Sequence, residues 1–121
     1  MEAKAFRGLL DDSWWVEGVE DVGVAKRRAA EKDYDLVILS MHGGSLGEIH
    51  SLAEAVAPAP LLVLTGSSDP LVQMKAQRLG AVDCVWKGVS GRWIRSSMKR
   101  ALEWGDLERR LEEFGVGSAK L

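Results

Sequence analysis

Three short apolar runs each end in a residue that can do chemistry. Leu36-Val37-Ile38-Leu39 is followed by Ser40, Leu61-Leu62-Val63-Leu64 by Thr65, and Cys84-Val85-Trp86 by Lys87. Glycines come next or soon after: Gly43 and Gly44, Gly66, and Gly88. Two hydroxyls and an ammonium beside open backbone could hold an anion if the three ends meet. Polar residues are also common where strands end, so spacing alone leaves a purely structural reading open.

A second candidate is Gly43-Gly44-Ser45-Leu46-Gly47, which matches the G-x-S-x-G pattern of a nucleophilic serine on a strand-to-helix turn. His42 precedes it and His50 follows. The context counts against a hydrolase. Such enzymes need a much longer chain, and their histidine comes late in the order.

A third candidate is a contact surface. Trp104, Leu107, Leu111 and Phe114 recur at spacings of three and four, as a coiled-coil seam does. The helical stretch just before it carries Arg92, Arg95, Lys99 and Arg100, which read as a solvated basic face. Trp14 and Trp15 are adjacent, so in a strand they point to opposite faces.

Elements must position these groups. The chain has 121 residues, 46% of them hydrophobic and 28% charged, which suits one packed domain, here 1–121. A net charge of -2 argues against a general nucleic-acid binder, which needs a cationic surplus. The single cysteine, Cys84, excludes an internal disulfide. No apolar run approaches a membrane span and no signal peptide is recognisable, so a cytoplasmic location is expected.

The apolar runs read as strands buried on both faces. Trp14–Val19 is a fourth, more edge-like strand candidate. Helices fit between them. Asp21–Lys32 carries Val22, Ala25 and Ala29 on one side, and Leu46, Ile49, Ala53 and Val56 form a second stripe. Asp69-Pro70 starts a third helix and Gly80 ends it. Arg92–Phe114 is the longest, with 103–114 a helical extension. Glu2–Asp12 is a weaker helix. Alternating strands and helices imply a parallel doubly wound α/β sheet, with ligand sites at the carboxyl ends of its strands.

From about Trp15 to Arg110 the chain resembles the receiver domain of bacterial two-component response regulators. Tyr34-Asp35-Leu36-Val37-Ile38-Leu39-Ser40 resembles the strand that ends in the phosphoacceptor aspartate. Leu64-Thr65-Gly66 resembles the strand with the hydroxyl residue, and Gly80-Ala81-Val82-Asp83-Cys84-Val85-Trp86-Lys87 the segment ending in the lysine. The resemblance implies a flavodoxin-like sheet sandwiched by helices, with Thr65 and Lys87 as retained pocket residues.

The departures carry the functional expectation. The phosphoacceptor position is Ser40, which has no charge and is a weak nucleophile without an adjacent base. The aromatic switch position is Cys84, and Gly88 stands where a proline usually follows the lysine. The first βα element is incomplete. Phe6–Glu17 resembles the end of a first helix running into a second strand; alternatively Gly8–Asp12 is the first strand with its acid pair. The second strand could slide into the vacant slot, bringing Glu20 and Asp21 toward the acid-pair position. A segment of another copy could fill it, or the helices could close over a smaller sheet.

The expected protein is a non-phosphorylatable pseudo-receiver without a cofactor, a bound metal or enzymatic activity. It acts by protein–protein contact, as a homodimer or on a signalling protein, through Trp104, Leu107, Leu111 and Phe114.

Overall fold

The computed structural model describes residues 14–41 and 46–113. In chain order they form α1 (Val22–Glu31), β1 (Val37–Met41), α2 (Gly47–Val56), β2 (Leu61–Thr65), α3 (Pro70–Arg78), β3 (Asp83–Trp86) and α4 (Gly91–Glu113). The strands make a three-stranded parallel sheet in the order β1-β2-β3.

The continuous apolar runs give strands because both faces of the sheet are covered. All five residues of β2 are buried. Their side chains alternate between two cores. Leu61 and Val63 join Met41, Ile49, Leu52, Val56, Ala76 and Cys84 on the face lined by α2 and α3, where Val22, Ala25 and Ala29 of α1 also pack. Leu62 and Leu64 join Val85, Ile94 and Met98 on the face covered by α4, with Trp14, Leu36 and Ile38 alongside. This is the expected flavodoxin-like sandwich, and burying the large aliphatics of β2 is its main stabilising term.

The helix boundaries follow local chemistry. The Asp21 carboxylate accepts the Gly23 N–H at 2.6 Å and caps α1. Asp69 accepts the Leu71 N–H at 2.9 Å, and Pro70 opens α3. Gly80 follows α3 at φ +117°, and the Ala81 N–H reaches back to the Ala76 carbonyl at 3.2 Å. The Ala57–Pro58 peptide is cis.

One expected strand does not form. Trp14–Val19 pairs with no strand among the described residues, so the sheet is not completed by sliding this segment inward. Its side chains are engaged instead. Trp14 packs on the α4-side core, and Glu17 is held by Arg28, Lys32 and Tyr34. The Glu2–Asp12 helix and the Gly8–Asp12 alternative lie outside the described residues.

The last helix is one continuous rod of 23 residues, and its second half stays on the domain. Gly105 is buried against Pro60, and the Arg109 guanidinium donates to the Tyr34 carbonyl at 3.0 Å and pairs with Asp35 at 3.6 Å.

Candidate functional site

The three strand ends converge as the alternation of elements requires. Ser40 lies level with Leu64 on the neighbouring strand, Met41 with Thr65, and Thr65 with Trp86. The Lys87 N–H donates to the Thr65 carbonyl at 2.8 Å, which fixes the lysine one step beyond β3. Backbone pairing therefore gathers Ser40, Thr65 and Lys87 at the carboxyl edge of the sheet.

Side-chain direction is less favourable to a shared pocket. Strand alternation sends Ser40 to the α4 side with Ile38, and Thr65 to the opposite side with Val63. The Thr65 hydroxyl is buried, and its oxygen accepts the Ser67 N–H at 3.1 Å. That hydroxyl orders the Gly66–Asp69 turn, where Ser67 in turn accepts from the Asp69 N–H at 3.1 Å.

Cys84 faces the α2/α3 core at 5% exposure. Burial, and after it the Asp83 charge, push its thiol up to about 11, so it is a small apolar core group. Trp86, the next aromatic along, is exposed and lies over Gly88, where a Cβ would collide with the indole ring. A glycine after Lys87 is therefore used as a floor for Trp86.

The donors for a divalent cation do not fit. The carboxylate expected at the strand end is the Ser40 hydroxyl, and Asp21 is committed to capping Gly23. Among the described residues no group of three or more His, Cys, Asp or Glu could hold a metal ion.

The hydrolase motif gains no support. Ser45 and His42 lie outside the described residues. His50, on α2, is engaged elsewhere: Nδ1 is 3.4 Å from the Leu79 carbonyl, and Nε2 is 2.9 Å from Glu54.

A polar cluster away from the strand ends is more developed. Glu17 accepts from Lys32 Nζ at 2.8 Å, the Tyr34 hydroxyl at 2.9 Å and Arg28 at 3.1 Å. The Lys32 and Tyr34 hydrogen bonds, followed by that from Arg28, hold its carboxyl at about 2. Tyr34 is shifted upward, by desolvation first and then by the Glu17 carboxylate. Lys32 Nζ also sits 3.7 Å from the Trp15 ring centroid, a cation–π contact. The hub ties the Trp14–Glu20 segment to α1 and to the approach to β1. Five residues from three stretches of the chain build it, so no local motif announces it.

The candidate contact surface lies on α4. Trp104, Leu107 and Leu111 are exposed at 39%, 53% and 39%, and Trp93 at 57%. Phe114 lies outside the described residues. No helix among the described residues is long and apolar enough to cross a membrane.

No family model matches the chain, and no curated protein does. Solved structures do. NtrX from Brucella abortus, in complex with ADP, superposes with a TM-score of 0.78 at 20% identity, over 93% of this chain and 26% of that one. A response regulator from Burkholderia pseudomallei with a phosphorylated aspartic acid gives 0.65 at 23% identity, over 93% of this chain and 79% of that one. A CheY-like receiver domain protein from Methanospirillum hungatei gives 0.72 at 14% identity, over 87% of each chain. This chain thus spans about a quarter of the Brucella NtrX structure, and the likeness establishes a receiver-like fold.

Proposed function

We propose that this chain is a receiver-like signalling module that does not accept phosphoryl groups and works by protein–protein contact. Ser40 carries the reading. It occupies the end of β1, level with Leu64, where the resemblance to receivers calls for an aspartate. A serine there brings no charge to bind a metal, and a hydroxyl is intrinsically a weak nucleophile. The Cys84 thiol, buried in the core, offers no side chain that could swing outward. The module is non-enzymatic and cytoplasmic, binds neither nucleic acid nor membrane, and acts as a homodimer or on a signalling partner.

The exposed Trp104, Leu107 and Leu111 stripe supports the contact role. Large apolar groups at helical spacing on a solvent face mark association surfaces. The test is incubation with acetyl phosphate and Mg²⁺, followed by intact mass. The expected spectrum shows no phosphoryl adduct; a stable adduct overturns the reading. A fluorophosphonate probe is expected to leave Ser45 unlabelled.

A further inference from the structure

The charges of α4 are divided along its length. Gly91–Leu102 holds Arg92, Arg95, Lys99 and Arg100 and no acid. Glu103–Glu113 holds five acids against two arginines, Arg109 and Arg110. Both arginines are used within the chain, Arg110 on Asp106 at 3.0 Å and Arg109 on Asp35 at 3.6 Å. A lone helix prefers the reverse order, acids at its start and bases at its end, because of its macrodipole. The first turn of α4 has no acid and the last turn ends in Glu112 and Glu113. The layout therefore works against the helix's own stability, which calls for a different explanation from a solvated face.

The apolar residues supply one. At 100° per residue, Trp93, Trp104, Leu107 and Leu111 fall within one narrow sector of α4, beside the sector buried by Ile94, Met98, Ala101 and Gly105. The exposed stripe thus runs the length of the charge gradient. A second copy in parallel orientation would set base on base and acid on acid. An antiparallel copy sets each basic half on an acidic half and opposes the two dipoles.

We propose that two copies of this chain pair through α4 in antiparallel orientation around a twofold axis that crosses the exposed stripe midway between Trp93 and Leu111. The second copy's Leu111 then lies beside Trp93, and its Trp104 beside Arg100, whose guanidinium donates to Ser97 at 3.0 Å and pairs with Asp83 at 3.7 Å within its own chain and offers its flat face to the indole. The interface is isologous and closes at a dimer. This deepens the self-association reading above and rests on it.

The experiment uses the full chain. Sedimentation at low and high NaCl gives the dimer constant, and a spin label on Ser96→Cys gives orientation; the buried Cys84 stays unlabelled. The expected result is a dimer that Trp104→Ala with Leu107→Ala dissociates while helicity is retained. Raising salt from about 50 to 500 mM weakens it by roughly tenfold, since the opposed charges are exposed and screened. The label sites lie about 20 Å apart or more, from a rise of ~1.5 Å per residue and an interaxial spacing of ~10 Å.

A monomer at every concentration overturns both the orientation and the self-association reading. A dimer indifferent to the Trp104 and Leu107 changes uses another surface and overturns the orientation. A dimer through α4 that tightens with salt, with labels about 10 Å apart, is parallel; it overturns the orientation and leaves self-association standing.

Discussion

Gly105 of α4 lies against the ring of Pro60, so close that a methyl group on it would sit 2.8 Å from Pro60 Cδ and 3.1 Å from Cγ. The missing side chain lets the second half of the helix reach the loop before β2. A proline ring has little freedom to yield.

Gly105→Ala is therefore expected to destabilise the domain. Alanine would gain about 1 kcal/mol of helix propensity, but overpacking a tight contact costs about 1–3 kcal/mol. A net loss of ~1 kcal/mol in urea unfolding is expected. A net gain would show that α4 can rise off Pro60 without cost.

Gly80 tests the other glycine contact. It sits at φ +117°, and an added Cβ would come within 2.8 Å of the Ala53 Cβ. Gly80→Ala is expected to cost about 1–3 kcal/mol from backbone strain and crowding. Gly66→Ala, with nothing within 4 Å of its Cβ position, is the control and should change stability by no more than about 0.5 kcal/mol. Equal effects at the two positions would contradict the geometry.

The Glu17 hub sets an acid limit. Its carboxyl titrates near 2 in the folded chain instead of 4.5. A depressed folded pKa means the hub's contribution is complete above 4.5 and is lost as pH falls toward 2. The Trp15 indole NMR signal of the folded chain should shift around pH 2, where Glu17 takes up a proton and releases Lys32. Glu17→Gln should remove the transition; its persistence would assign it to another group.

Cys84 should be inert. With its thiol near 11 and the side chain 5% exposed, alkylation by iodoacetamide at pH 8 should be at least ~100-fold slower than in urea. Rapid labelling of the folded chain would mean that the α2/α3 core opens readily.

Much of this fold is legible in the sequence, for physical reasons that differ by element. Leu61–Leu64 reads as a strand because covering both faces leaves no polar position. Asp69-Pro70 and Gly80 mark α3 because cap and terminator chemistry is local. The adjacency of Ser40, Thr65 and Lys87 follows once the strands are parallel. Trp14–Val19 misleads because its apolar residues suit a strand while Glu17 is drawn aside by three partners. The opposite directions of Ser40 and Thr65 depend on register, which no single run reveals. The role of Gly105 depends on Pro60, far away in the chain, which no local pattern reveals.

Tyr34 joins two of these features. Its hydroxyl donates to Glu17 and its carbonyl accepts from Arg109, so one residue before β1 ties the Trp14–Glu20 segment to the far end of α4. Long helices ordinarily fray from their ends inward. Here fraying past Arg109 must also release the clasp at Tyr34. Hydrogen-exchange protection should therefore reach into the last turns of α4 and fall there together with that of α1, as one cooperative unit.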